Sequence, residues 1–141
     1  MLTADRWGAA PGSRHGPRHR HRLADQWQRD SNAHNLEALL CHYSDDVVFT
    51  SPVVRQLLPD SGGVLRGKGA LRAYWSEGLR RIPDLRFEVE ACFVGDDTLV
   101  INYRNHVGAL VAEVRIFDGD LITTGHGTYL ALENPAGAAP Q

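Results

Sequence analysis

Cysteine, methionine and long apolar runs are scarce in this chain, and each scarcity removes a class of protein. Two cysteines, Cys41 and Cys92, in 141 residues cannot build the disulfide framework of a small secreted scaffold. Both lie in apolar company, within a predicted helix and a predicted strand, so we expect buried free thiols and a reducing, cytoplasmic setting. No apolar stretch approaches the roughly 18–20 residues of a membrane span. The basic opening residues run into no apolar segment of the secretory kind. Beyond the basic opening residues, histidine and cysteine nowhere adopt metal-ligand spacing, so no metal is expected, nor any other cofactor. Gly62-Gly63 and Gly67–Gly69 lack the strand–loop–helix setting of a phosphate loop, and no G-x-S-x-G elbow is present. Positive charge is also missing from the bulk of the chain. Residues 1–22 hold five arginines against the single acid Asp5, leaving 10 basic and 16 acidic residues beyond them, a balance of −6. A domain so charged presents no broad footprint for nucleic acid.

What remains is the composition of one globular domain, 43% hydrophobic and 23% charged, with length enough for one substantial core. Residues 1–21, rich in Gly, Pro and Arg, carry almost no apolar periodicity and are expected to form a disordered basic extension. Within it His15, His19 and His21 offer at most an adventitious metal site, and the arginines a contact for an acidic partner. The domain spans 22–133, and 134–141 is expected to be a flexible tail. Leu23, Ala24 and Trp27 mark a first helix to about Ser31. Asn35 is placed to cap a second helix, in which Leu36, Leu39, Leu40 and Tyr43 recur at helical spacing. A strand Val47–Ser51 follows, stopped by Pro52, then a long loop over Val53–Val64. A third helix after Gly67 carries Leu71, Tyr74, Trp75, Leu79 and Ile82 and stops at Pro83.

From Leu85 the period changes to two. Strands are predicted at Leu85–Val94, Thr98–His106, Leu110–Phe117 and Leu121–Leu132, joined by Gly- and Asp-rich turns that indicate antiparallel hairpins. Helices first and a meander afterwards define an α+β domain with helices over one face of the sheet. Alternation sets Leu99, Ile101, Tyr103 and Asn105 on one face, opposite Val100, Asn102, Arg104 and His106. It also groups Val111, Glu113, Arg115 and Phe117, and separates Thr123, Gly125, Gly127 and Tyr129 from Ile122, Thr124, His126 and Thr128.

The order LEALLCHYSDDVVFTSP, a Gly-rich loop, then RGKGALRAYWSEGLRRIP resembles the nuclear transport factor 2-like superfamily, with its SnoaL-like cyclases and ketosteroid isomerase. The resemblance implies a cone-shaped, curved antiparallel sheet packed against three N-terminal helices, enclosing a pocket. It also implies a homodimer formed through the outer sheet face. Ketosteroid isomerase tunes one carboxylate as base and keeps another neutral as a donor. Aligned on Pro52, its base position falls on Ser51, and its first-helix tyrosine on Trp27. One supporting tyrosine falls near Trp75, another on the retained Tyr43, and the strand carboxylate on Glu113. The proton-abstracting carboxylate is therefore absent, because serine has no useful basicity and indole only donates. Steroid isomerisation by that route is not expected.

Glu113 is the most informative polar residue. It sits between Ala112 and Val114, and burial disfavours a charged carboxylate unless a cation answers it. Arg115 on the same face is that cation, either inside a pocket or as an ordinary surface pair at a sheet edge. The expected catalytic set is Glu113 with Tyr43 and Tyr103 as hydrogen-bond partners. The expected ligand contacts are Trp27, Phe49, Ser51, Trp75, Ile101, Arg115 and Tyr129, and the aromatic residues Trp27, Tyr43, Phe49, Tyr74, Trp75, Tyr103 and Tyr129 suffice to wall an apolar cavity with a few polar tips. His126 is assigned to the outer face, and His34 and His42 to solvent. Two readings follow. One is a cofactor-free isomerase, cyclase or lyase acting on a small hydrophobic molecule; the other is a non-catalytic binding or dimerisation module.

Overall fold

In the computed structural model, which describes residues 17–131 and the side chains from Arg22 onward, the change of period at Leu85 marks the boundary between helical cover and sheet. Helix α1 runs over Pro17–Asn32 and turns at Ala24 and Trp27, both buried, toward the sheet. It starts five residues before the expected domain boundary at Arg22. Helix α2 is short, Leu36–Leu40, with the Asn35 side chain accepting from the Ala38 amide as foreseen. Strand β1, Tyr43–Thr50, begins earlier than its apolar core indicates. The acidic Ser44–Asp46 segment belongs to it through an irregular pairing between Tyr43 and Val48.

The expected long loop is instead structured. Ser51 caps helix α3, Pro52–Leu57, by accepting from the Val53 amide at 3.1 Å, with Pro52 at its first position. A Ser-Pro pair is a helix start that sequence reasoning could have read. A 3-10 turn at Pro59–Ser61 and strand β2, Val64–Arg66, complete the segment. Helix α4, Lys68–Arg81, follows Gly67, whose φ of 93° suits glycine.

Strands β3 Glu88–Val94, β4 Thr98–Arg104, β5 Leu110–Asp118 and β6 Leu121–Tyr129 form the meander. The sheet order is β2-β1-β6-β5-β4-β3. All contacts are antiparallel except β1 with β6, which is parallel. Helices α1 and α4 pack on one face, against β3 and β1 respectively. The core between them holds Leu40, Val47, Leu71, Leu99, Ile101 and Val111, each at most 1% exposed. A register shift between Ile116 and Phe117 sets Ile122 opposite Phe117. Ile122 is thereby buried and does not share the outer face assigned to it by simple alternation, because a bulge adds one residue to the count. The cysteines are free; Cys41 is exposed and Cys92 half-buried, so Cys41 does not have the expected burial.

Candidate functional site

Strand register builds the site in rows on the concave face. One row runs Phe49, Gly125, Arg115, Leu99, and the next runs Gly127, Glu113, Ile101, Cys92. A third places Tyr129, Val111, Tyr103 and Val89 side by side. The two glycines are spaces for the neighbouring strand. A Cβ on Gly125 would stand 3.0 Å from the Phe49 ring, and one on Gly127 would stand 3.2 Å from Ser51 Oγ. Gly127 therefore leaves a slot between Ser51 and Glu113, whose strands are two strand spacings, about 10 Å, apart. His126, between the glycines, points outward, and its Nδ1 lies 2.6 Å from Thr50 Oγ1.

These rows face a cavity of about 320 Å³, at the small end of ligand pockets. Trp27 and Ser31 of α1, Phe49 and Ser51 of β1, and Tyr74 and Trp75 of α4 line it, together with Tyr103, Glu113 and Tyr129 from the meander. Leu85 and Phe87, ahead of β3, close one side. That segment is pinned to α1 and the turn after it by side chains: Asn32 pairs with both backbone groups of Phe87, and His34 meets the Leu85 carbonyl at 2.8 Å.

Glu113 is held from two directions. Tyr103 donates to Oε1 at 2.9 Å and Arg115 donates from Nη2 to Oε2 at 2.5 Å. Side-chain exposures of 3% for Arg115 and 14% for Glu113 exclude the surface-pair alternative. The guanidinium lies 4.9 Å from the centre of the Trp27 ring, a cation–π contact. Trp27 in turn packs on Phe87 and Tyr103. Behind the wall, Arg115 Nε and the Tyr43 hydroxyl are buried without a well-directed hydrogen bond. The two nevertheless act on each other electrostatically. Burial pushes the Tyr43 phenol up, and the Arg115 charge opposes that rise.

The other phenols are also held protonated. Burial, then the Glu113 charge and the neighbouring Tyr129, raises Tyr103 well above the usual phenol range. Burial and the same carboxylate push Tyr129 up to about 12. Tyr74 rises further, chiefly by burial. Ser51 lies close enough to both Tyr74 and Tyr129 to oppose their shifts through side-chain hydrogen bonding. The site thus combines one carboxylate with neutral phenol donors, and among the described residues no cluster suits a metal ion.

Of the residues singled out from sequence, Glu113, Tyr103, Trp27, Phe49, Ser51, Trp75 and Tyr129 front the cavity. Ile101 does not; at 0% exposure it is core beneath the wall. Tyr43 and Arg115 also stand behind the surface, with Arg115 buttressing Glu113. Tyr74, expected in the aromatic wall, faces inward beside Trp75. Two histidines were misplaced. His106 lines the cavity because β4 ends at Arg104 and the following turn breaks the alternation. His34 lines it too, from a left-handed turn with φ of 57°.

A curved sheet with helices over its concave face and a polar-tipped aromatic cavity between them defines the cone class of α+β proteins. The chain belongs to the SnoaL-like domain family, whose profile matches residues 24–130. A SnoaL-like protein of unknown function from Burkholderia thailandensis is 38% identical, with TM-score 0.76, over 79% of this chain and 94% of that one. A proposed polyketide cyclase from Sinorhizobium meliloti shares the fold at 12% identity and TM-score 0.62, covering 76% and 94% of the two chains. AclR, a proposed hydroxylase from Streptomyces galilaeus, does so at 16% and 0.63, covering 79% and 88%. No match was found among curated proteins. No helix among the described residues is long and apolar enough to cross a membrane.

Proposed function

We propose that this protein binds a small hydrophobic molecule in its cone and transforms it without a cofactor, by general acid–base chemistry at Glu113. The observation that carries this reading is a carboxylate opening onto an aromatic cavity while both its oxygens are held by Tyr103 and Arg115. Each oxygen retains a lone pair for a ligand proton, and the fixed geometry removes the cost of orienting the group during reaction. Glu113 takes a proton from the ligand and returns it elsewhere, while a neutral phenol donates to the oxygen on which charge develops. Isomerisation, cyclisation, dehydration and hydration all fit that cycle. The outer sheet face, with Phe93 58% exposed, would bury a second copy of the chain, and the free thiols suit a reducing cytoplasm.

One observation favours a second reading, a binding module without turnover: Ser51, at the position where the related isomerase has its base, is committed to capping α3. Native mass spectrometry of gently purified protein separates the readings. A dimer carrying a discrete extra mass supplies the compound for assay. Loss of turnover in Glu113→Gln with binding retained supports the enzyme. Binding without turnover in either protein selects the module, and turnover indifferent to the substitution removes Glu113 from the chemistry.

A further inference from the structure

Phe49, Ser51, Trp27 and Tyr103 are all buried and mark the closed end of the cavity. The open end is built differently. The register that sets Glu88 opposite Arg104 carries residues 85–87 and 105–106 off the same end of the sheet. There Arg81, from the last turn of α4, joins His106 and His34 in the lining. The Arg81 side chain is 51% exposed and shares its only described partner, Glu77, with Arg80. Two guanidiniums thus answer one carboxylate, and Arg81 uses only Nε for it, at 2.8 Å. His106 Nδ1 is buried with no hydrogen-bond partner, an arrangement native structures rarely leave unexplained. His34 adopts a backbone conformation that favours glycine or asparagine at a helix end, and by doing so brings its ring to the cavity and to the Leu85 carbonyl.

We infer that the ligand is an amphipathic acid: its apolar body fills the aromatic cavity and its carboxylate sits at the mouth between Arg81 and His106. This rests on the cavity being a site for a hydrophobic molecule, as proposed above. Arg81 offers its unused terminal nitrogens, a planar pair suited to a carboxylate, and the His106 ring, which lines the same cavity, turns on binding to bring its unpartnered nitrogen from the wall to the same group. Glu113, already matched by Arg115 deep in the wall, does not oppose an anion at the mouth. Selectivity for an acid over its neutral analogue then arises at the rim, apart from the chemistry at Glu113.

The experiment is calorimetric titration of the full chain with 2-naphthoate and 2-naphthamide, which share one apolar body. Naphthoate is expected to bind about tenfold tighter, the size of one charge-assisted contact. Arg81→Gln should reduce the preference to about twofold, and His106→Phe should weaken it about threefold, on the same grounds. Arg72→Gln, outside the lining and paired elsewhere with Glu37, should leave it intact. Equal binding of the two probes, or a preference untouched by both Arg81→Gln and His106→Phe, overturns the inference and leaves the cavity reading standing. Binding of neither probe overturns both.

Discussion

The two faces of one sheet differ more than any two segments of the chain. On the concave face, a single row holds Glu113 beside Gly127, and its neighbours hold Arg115, Tyr103 and Tyr129. On the convex face, the matching row reads Phe93, Val100, Val114, His126, Thr50. The ion pair is therefore enclosed, while aliphatic and aromatic side chains remain half-buried or exposed. A sheet serving stability alone would bury the valines and expose the carboxylate. On the function proposed above, the enclosed charge belongs to the face that meets a ligand, and the uncovered apolar surface to the face offered to a second copy of the chain.

Removing Arg115 should break this contrast most severely. Arg115→Met leaves the Glu113 carboxylate among aromatic rings with only Tyr103, at an expected loss of about 3 kcal/mol, the low end for a broken buried pair because the cavity admits water. Urea denaturation measures it. Glu113→Gln in the same chain should recover most of the loss, since no charge then remains to be matched. Equal instability of the double variant would mean that Arg115 acts by packing on Trp27 instead.

The two concave glycines sharpen the comparison within one face. Gly125→Ala drives a methyl to 3.0 Å from the Phe49 ring and should cost about 1–3 kcal/mol by overpacking. Gly127→Ala meets Ser51 less closely and should cost less stability, yet it fills the slot beside Glu113. Its larger effect should be on naphthoate affinity, read by titration. Ser51→Ala should lose about 1 kcal/mol with the α3 cap, whatever its effect on ligand.

Alkaline pH tests the enclosed phenols. Tyr129 is raised from 10 to about 12 in the folded chain, so the folded state keeps its proton where the unfolded chain releases it. Stability from this group is complete below pH 10 and declines as pH rises through 12. Denaturation midpoints across that window should fall, and Tyr129→Phe should flatten the decline. The smallest effect on the fold is expected at the convex face. Val114→Glu should change monomer stability by roughly 0.5 kcal/mol or less while shifting sedimentation from dimer to monomer. An unchanged sedimentation profile would remove that face as the dimer interface.

Periodicity made much of this legible in advance. The helical spacing around Leu36–Leu40 and Leu71–Ile82 and the alternation from Leu85 onward report local backbone geometry, which each segment carries in its own side chains. Glu113 stood out because a charged residue interrupted an apolar strand. His106, His34 and Ile122 were assigned to the wrong surroundings for a common reason: a strand end, a left-handed turn and a bulge each break the period on which facing is counted. The Ser51-Pro52 helix start was readable but was outweighed by the Gly- and Pro-rich composition of the segment.

By itself the sequence determined the α+β class, the order of elements, the core stripes and the presence of one carboxylate in an apolar strand, because these follow from propensity and period along the chain. Only the tertiary structure decided that Glu113 meets Tyr103 and Arg115 inside the cone, that two glycines make room for Phe49 and Ser51, and that Arg81, His34 and His106 line one cavity. Those contacts join residues from five or more separate elements, and no local preference specifies which distant side chain will occupy the space beside another.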